Sequence, residues 1–359
     1  MTILLNKPVA PCLKTLAAYL EQVNASGWYT NFGPLHQRLT YKLEEYLQVK
    51  NLLLVSNGTL ALQVTYKALG LKRSICTPFS YIATAGSLAW DKIPTSFVDI
   101  DSNSLNLCPS LVDKRLELSN DFDSIIATHV YGNPCAVESF DHLSSKYNVK
   151  VIYDAAHAFG VRYGENSLLS YGDASTLSFH ATKVFHTIEG GAIIFKENEA
   201  YKKAKQLINF SIDSNGTPTG AGINAKLNEY QCAVGLTLLD SIDNILDHRR
   251  TIFNEYTRLL ESSVELPIWN ENTSLTNGSY FPIILKNELE KKRIKTLLDG
   301  HDIPCREYFS PSLNMVFKQE EVCPVSQSIA SRILCLPLHF YLTLDEVRHI
   351  SSVIKESRK

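Results

Sequence analysis

Hydrophobic positions in the first two-thirds of the chain form short continuous runs, separated by longer amphipathic stretches. Strands that are apolar throughout and alternate with helices indicate an α/β fold with a mostly parallel, seven-stranded sheet covered on both faces. Ligands are then expected outside the carboxyl ends of the strands. The predicted strands are Leu52–Val55, Ser74–Thr77, Thr95–Val98, Ser124–Thr128, Val149–Tyr153, Ala174–Phe179 and Ala192–Phe195. The predicted helices are Pro34–Gln48, Leu60–Leu69, Ile82–Trp90 and Val137–Tyr147.

The pattern changes after residue 196. Residues 209–224 are rich in serine, glycine, proline, asparagine and threonine, which predicts a long loop. Such a loop is uncommon in a compact chain unless it has a function. An apolar stripe at helical spacing from Ala225 to about Leu260 predicts one connecting helix after it.

The last third predicts a smaller α/β unit, with a strand near Ser279–Leu285 and a final helix at Leu344–Ser357. We therefore expect a large domain over residues 1–240, including the N-terminal segment, and a small C-terminal domain over residues 241–359. A chain of 359 residues, 45% of them hydrophobic, can bury one large core and a smaller one.

Charge and cysteine usage narrow the functional classes. The formal net charge of −2 gives no electrostatic reason to expect binding to nucleic acid or to an anionic membrane. The eight cysteines are scattered without a Cys-x-x-Cys pair, which favours free thiols in a reducing compartment and no metal site. Neither a signal peptide nor a stretch of transmembrane length is recognisable, so a cytoplasmic protein is expected.

Two residues suggest a specific cofactor. Asp154 ends an apolar strand, and Lys183 follows some thirty residues later, beyond a second strand. Pyridoxal 5'-phosphate (PLP) needs a lysine amine for its aldehyde and a carboxylate for its pyridinium nitrogen. Taken separately, Asp154 could cap a helix and Lys183 could be a surface charge. His157, three residues after Asp154, could face the cofactor ring or its 3-oxygen, or be a core histidine.

A phosphate site is predicted where the first strand meets its helix. The run Ser56-Asn57-Gly58-Thr59 places a glycine turn at the start of a helix, where free N–H groups and the helix dipole attract anions. No lysine closes this turn, so nucleotide hydrolysis is disfavoured. A plain helix cap by Asn57 or Thr59 explains the same residues. Ser178 could add a hydroxyl to the phosphate contacts.

A series of motifs in one order resembles the DegT/DnrJ/StrS family of sugar aminotransferases, a branch of the fold-type I PLP enzymes with the aspartate aminotransferase-like fold. The resemblance extends nearly from end to end. Its motifs are Trp28–Pro34, Ser56–Leu62, Thr77–Thr84, Val98–Asp101, His129–Gly132, Asp154–Ala158, Ser178–Gly191, Gly222–Glu229 and Cys335–Leu338.

The resemblance implies a role for each matching residue. Gly58, Thr59 and Ser178 would bind the phosphate, Asp154 the pyridinium, and Lys183 would form the Schiff base and transfer protons. The remaining expected contacts are Tyr81 stacked on PLP, His157 at the ring, Asn224 reaching the phosphate of the partner subunit in a homodimer with shared active sites, and Tyr29, His186, Glu189, Arg306 and Tyr308 near the substrate.

The resemblance also implies a reaction. L-glutamate would give its amino group to the cofactor, leaving pyridoxamine 5'-phosphate, which then aminates a nucleotide-linked keto sugar. The run Ser-Phe-His-Ala-Thr-Lys, which ends at Lys183, and Glu189-Gly190-Gly191 after it are more like members that act at sugar carbon 4. The expected conversion is dTDP-4-dehydro-6-deoxy-D-glucose to dTDP-4-amino-4,6-dideoxy-D-glucose, for a surface polysaccharide such as the O-antigen of lipopolysaccharide or for a glycosylated metabolite.

Three alternatives remain at this stage. The enzyme could aminate a 3-keto sugar, in which case His180 or His186 would help to set the choice, although His180 is expected to be structural. It could be a PLP-dependent sugar dehydratase, but in that branch histidine replaces the Schiff-base lysine. It could be a regulatory homologue without catalysis, although Asp154, Ser178 and Lys183 are all present.

Overall fold

A computed structural model describes residues 3–356 of the chain. The strands are β1 (Leu52–Val55), β2 (Ser74–Cys76), β3 (Thr95–Phe97), β4 (Ser124–Thr128), β5 (Lys150–Asp154), β6 (Arg162–Tyr163), β7 (Asn166–Ser167), β8 (Ala174–Ser178), β9 (Gly191–Phe195), β10 (Thr273–Leu275), β11 (Phe281–Ile284) and β12 (Ile333–Leu336). The α-helices are α1 (Leu13–Ser26), α2 (Pro34–Leu47), α3 (Gly58–Leu69), α4 (Ile82–Trp90), α5 (Pro109–Leu118), α6 (Val137–Tyr147), α7 (Asn198–Leu207), α8 (Glu229–Leu239), α9 (Ile242–Leu260), α10 (Glu288–Gly300), α11 (Leu313–Val316), α12 (Pro324–Arg332) and α13 (Leu344–Glu356).

The seven predicted strands form one sheet in the order β1-β9-β8-β5-β4-β2-β3. The pairs from β8 through β5, β4 and β2 to β3 are parallel, and β9 runs antiparallel to both of its neighbours. Every side chain of β1, β4 and β9 is buried, as expected for strands covered on both faces. The carboxyl ends of β1, β4, β5 and β8 therefore meet at one edge.

The bounds of these strands differ from the predicted ones by at most one residue at either end. Helices α4 and α6 have the predicted bounds, α2 ends one residue earlier, and α3 begins two residues earlier, at Gly58. Residues 209–224 form the predicted long loop, in which Asn209 pairs with Asn224 as an isolated bridge. The predicted end of the last helix, Ser357, lies outside the described residues.

One prediction, the single connecting helix from Ala225 to about Leu260, is wrong. The structure has two helices, α8 and α9, because Ser241 between them has the non-helical angles φ −121° and ψ 12°. Helix α8 begins only at Glu229, where the side chain of Asn228 accepts a hydrogen bond from the Gln231 N–H at 2.9 Å.

Helix α9 contributes to two hydrophobic cores. Ile245 and Leu246 pack in the core around the sheet, whereas Ile252 and Tyr256 belong to a second core formed with β11, α10, β12 and α13. The domain boundary expected at residues 240/241 falls at the start of this helix and stays a prediction. Among the described helices, none combines the length and apolar character needed to span a membrane.

Candidate active site

A cavity of about 290 Å³ opens at the carboxyl edge of the large sheet. The ends of β4, β5 and β8, the start of α3 and the segments around Lys183 and Tyr308 surround it. Of the predicted site residues, nine line it: Gly58, Thr59, Tyr81, Asp154, His157, Ser178, Lys183, Glu189 and Tyr308.

One end of the cavity is the turn into α3. The side chain of Asn57 caps this helix by accepting a hydrogen bond from the Leu60 N–H at 2.8 Å. The interpretation of Asn57 as a helix cap is therefore confirmed. Gly58 lies against Ser178: a Cβ at position 58 would be 2.9 Å from the Ser178 Cβ and 3.2 Å from its Oγ. A helix start beside a hydroxyl, kept open by glycine, suits a phosphate group.

Asp154 lies buried at the end of β5. Its Oδ2 accepts a hydrogen bond from the Thr84 hydroxyl at 2.6 Å, and its Oδ1 accepts one from the Ala156 N–H at 3.1 Å. Burial raises the pKa of this carboxyl, while the two donors and the positive charge of Lys183 lower it in part. The carboxylate is available to hold a protonated ring nitrogen.

Lys183 is partly buried in the cavity wall, and its Nζ lies 5.9 Å from the centre of the Tyr280 ring. Loss of solvent lowers the pKa of this amine, and the negative charge of Asp154 opposes that effect. A lowered pKa increases the fraction of neutral amine, which is the form that attacks a carbonyl group. Lys183 is the one lysine among the described residues that line the cavity.

His157 is both buried and in contact with the cavity. Its Nδ1 accepts a hydrogen bond from the Tyr131 N–H at 3.2 Å, so the neutral ring carries its proton on Nε2. Burial, with a smaller effect of the Lys183 charge, keeps the pKa of His157 well below its usual value. Its ring is parallel to that of Phe309, with 5.9 Å between centroids, and stands edge-on to that of Tyr280.

Two parts of the cavity differ in exposure. We call the buried polar residues at and beneath its bottom the floor: Ser80, Thr84, Thr128, Asp154 and His157. We call the residues at its opening the rim: Tyr81, His180, Glu189 and Tyr308. Tyr81 is 55% exposed, and His180 Nε2 lies 3.7 Å from Glu189 Oε1.

Four predicted site residues do not line this cavity. Tyr29 and Asn224 are exposed elsewhere on the surface. The exposed Arg306 borders two adjoining cavities. His186 is buried, with Nε2 2.9 Å from the Val9 carbonyl oxygen and Nδ1 accepting from the Ile188 N–H.

These contacts hold His186 to the N-terminal segment, away from the cavity, and its expected contact with the substrate stays a prediction. His180, which we expected to be structural, lines the cavity.

Sequence reasoning missed two groups of residues. The hydroxyls of Ser80, Thr84 and Thr128 form a hydrogen-bonded chain that ends on Asp154. Tyr280 and Phe309, from the last third of the chain, also line the cavity with aromatic rings. Of these residues, only Ser80 and Thr84 could have been expected at the site from the sequence, because they belong to the motif Thr77–Thr84 around Tyr81.

The residues of the cavity fit PLP. Gly58 and Ser178 leave room for a phosphate at a helix start, Asp154 supplies a carboxylate, and Lys183 supplies an amine with a lowered pKa. These are the groups that the cofactor requires of a protein.

Comparisons with known proteins show which proteins this chain is similar to. The chain is 38% identical to a dTDP-4-amino-4,6-dideoxy-D-glucose transaminase of Shigella dysenteriae, covering 99% of this chain and 98% of that one. A transaminase of the same name from Escherichia coli is 32% identical, covering 98% of both chains. A GDP-perosamine synthase of Vibrio cholerae is 27% identical, covering 94% of both.

Solved structures give the same answer for the fold. DesI, crystallised in the presence of its TDP-sugar product, superposes with a TM-score of 0.92 at 26% identity, covering 99% of this chain and 92% of DesI. The predicted aspartate aminotransferase-like fold is thereby confirmed. The sequence profile of the DegT/DnrJ/EryC1/StrS aminotransferase family matches residues 13–355. The chain is therefore an aminotransferase of the DegT/DnrJ/EryC1/StrS family.

Proposed function

We propose that this enzyme is a PLP-dependent aminotransferase that moves an amino group from L-glutamate to carbon 4 of dTDP-4-dehydro-6-deoxy-D-glucose. The product would be dTDP-4-amino-4,6-dideoxy-D-glucose. The assignment of PLP rests on one observation: Lys183, Asp154 and the pair Gly58 and Ser178, which we call the cradle, lie around one cavity. The sugar rests on the 38% identity, over nearly the whole of both chains, to a transaminase named for this product.

The cradle, the floor and Lys183 in the cavity wall would fix the cofactor at three points. The N–H groups of Gly58 and Thr59 and the hydroxyl of Ser178 would bind the phosphate, Asp154 the ring nitrogen, and Lys183 the aldehyde carbon. When bound, PLP supplies a carbonyl group that reacts with amines. Its ring withdraws electrons from the carbon that carries the captured amine. His157 presents a neutral Nε2–H, which can donate a hydrogen bond to an oxygen on the ring without adding charge.

Lys183 would also transfer the proton that transamination requires. With PLP bound, its neutral amine would accept a proton from the donor's α-carbon and would deliver a proton to the former aldehyde carbon of the cofactor. Its lowered pKa suits both directions of transfer, because the ideal catalytic pKa lies near the working pH. Tyr280 and Phe309 line the same cavity, and the Tyr280 ring centre lies 5.9 Å from this amine.

The substrate would enter over the rim. Tyr81 lines the cavity with an exposed aromatic ring that can stack on the cofactor, and Tyr308 and Glu189 present polar groups at the opening. Arg306 borders the neighbouring cavity that shares Tyr81 and Tyr308, and would meet the anionic part of the substrate. Tyr29 and Asn224 lie outside the cavity of their own chain, and we propose that they act at the active site of a second copy in a homodimer.

The test is to incubate the purified, PLP-loaded enzyme with L-glutamate and dTDP-4-dehydro-6-deoxy-D-glucose. Mass spectrometry would detect the aminated nucleotide sugar, and NMR would fix the carbon that bears the amine. An amine at carbon 4 supports the proposal. Conversion of one equivalent of glutamate per active site, without an aminated sugar, would overturn the sugar and direct the search to GDP- or UDP-linked and 3-keto substrates. Absence of PLP binding would overturn the cofactor.

A further inference from the structure

A chain of three hydroxyl groups lies beneath the cavity and ends on the cofactor carboxylate. Thr128 Oγ1 donates to Ser80 Oγ at 2.9 Å, Ser80 and Thr84 are joined at 2.7 Å, and Thr84 Oγ1 donates to Asp154 Oδ2 at 2.6 Å. These side chains are at most 5% exposed. They come from separate elements: the end of β4, the β2–α4 loop, helix α4 and the end of β5.

The direction of this chain follows from proton counting. An ionised carboxylate only accepts hydrogen bonds, so the single proton of Thr84 must point at Asp154. Thr84 can then only accept from Ser80, and Ser80 in turn only from Thr128. The three O–H dipoles are therefore aligned toward the negative charge. Such charge-assisted bonds are short, as the 2.6 Å distance is, and aligned bonds polarise one another.

We propose that Thr84, supported by Ser80 and Thr128, is a positioning residue that holds Asp154 in its ionised form and correct orientation for the cofactor ring. This inference rests on the proposed PLP chemistry. Burial favours the neutral form of Asp154, and the hydrogen bond from Thr84 opposes this effect. Without the Thr84 hydroxyl, Asp154 would have one side-chain donor fewer to stabilise its charge. A neutral Asp154 would lose its charge attraction for the protonated ring nitrogen.

The groups around Asp154 leave few substitutes for Thr84. The charged neighbour is Lys183, whose amine would be consumed by the bond to the cofactor. The buried Cys76 thiol and Tyr66 phenol are close enough to Asp154 to interact with its charge, and burial raises the pKa of both, so they stay neutral. The neutral His157 directs its Nδ1 to Tyr131. The Ala156 N–H is the other donor to the carboxylate.

The experiment compares Thr84→Val, which removes the hydroxyl, with Thr84→Ser, which keeps it. Thr237→Val is the matched control, because Thr237 is also buried and donates to a backbone oxygen of its own helix. PLP affinity is measured by titrating the cofactor-free protein and following visible absorbance. We expect the dissociation constant to rise roughly 10- to 100-fold in Thr84→Val, about 2- to 10-fold in Ser80→Ala, and less in Thr128→Val. Thr84→Ser should restore wild-type affinity.

A second readout needs neither cofactor nor turnover. Infrared spectra of cofactor-free protein carrying ¹³C-labelled aspartate carboxyls, with the Asp154 band assigned by its loss in Asp154→Asn, report when this group takes a proton. Protonation at a higher pH in Thr84→Val than in wild type and Thr237→Val supports the inference. Equal affinities and equal protonation pH in Thr84→Val and Thr237→Val would overturn it. Failure of the wild-type protein to bind PLP would overturn the proposed function instead, and the infrared comparison would still decide the role of Thr84.

Discussion

The floor and the rim of the cavity are two polar regions built in different ways. On the floor, Thr84 and Asp154 are buried and their hydrogen-bond partners are fixed by four elements of the fold. On the rim, His180 and Glu189 are about half exposed and face each other at 3.7 Å. Low dielectric strengthens interactions on the floor, whereas water and salt screen those on the rim. We infer that the floor holds the cofactor and that the rim, apart from Tyr81, selects the substrate.

The largest expected effect is at Lys183, in the wall between the two regions. Lys183→Ala should lower turnover by about 10⁴-fold or more, because no other lysine among the described residues lines the cavity to bond the cofactor or transfer the proton. It should also abolish the visible absorbance of the lysine-linked cofactor. Lys203→Ala on the exposed side of α7 is the control and should keep both. Turnover near the wild-type rate in Lys183→Ala would refute the assignment.

The next effect tests the phosphate cradle beside the floor. A Cβ at Gly58 would overlap Ser178, so Gly58→Ala should weaken PLP binding by roughly tenfold or more, as overpacking of a tight contact costs about 1–3 kcal/mol. Gly300→Ala, where nothing lies within 4 Å of the added Cβ, is the matched control. Equal PLP affinity in the two variants would show that the phosphate lies elsewhere.

The cradle and the Asp154–Lys183 pair could be predicted from the sequence, whereas the hydroxyl chain could not. Asp154 ends an apolar run, Ser178 lies near the end of the next predicted strand, and parallel strands carry their ends to one edge, so local pattern places them together. Thr84 and Asp154, in contrast, are 70 residues apart, and Ser80 and Thr128 are 48 apart. Their meeting depends on the order of β2, β4 and β5 in the sheet, which no local pattern contains.

The break between α8 and α9 was hidden for a similar reason. The apolar stripe continues across it, and neither proline nor glycine marks Asp240 or Ser241. Gly235, the residue that does look like a breaker, lies inside α8, where a Cβ would be 2.9 Å from Leu39 and Thr187 side chains. That glycine serves close packing between elements, which is a tertiary property. The position of Tyr280 and Phe309 at the cavity also depends on tertiary structure, because both residues come from the last third of the chain.

A pH experiment tests the burial of His157 on the floor. Burial lowers the pKa of His157, so the folded protein holds it neutral, while in the unfolded chain it takes a proton below about pH 6.5. The unfolded state then binds more protons, and stability falls as the pH falls. In the cofactor-free protein, His157→Gln should make the loss of unfolding free energy below about pH 6 shallower by about 1.4 kcal/mol per pH unit.

Denaturant titrations between about pH 5 and 7 would measure this slope. The control is Thr237→Val, which changes a buried side chain without removing a titratable group and should leave the slope unchanged. An equal change of slope in both variants would show that His157 is not the source of the pH dependence.

The smallest expected effect is at the rim itself. Glu189→Gln removes the charge that faces His180, an exposed pair of a kind that contributes at most about 1 kcal/mol. PLP affinity should therefore change by less than about fivefold, a smaller change than in Gly58→Ala. If the rim selects the sugar, the KM for the nucleotide sugar should rise while kcat with saturating sugar is retained, because a lost ground-state contact weakens binding without changing the chemical step. A fall in PLP affinity as large as that of Gly58→Ala would mean that Glu189 helps to hold the cofactor. Glu189 would then belong with the floor in function, although it lies at the rim.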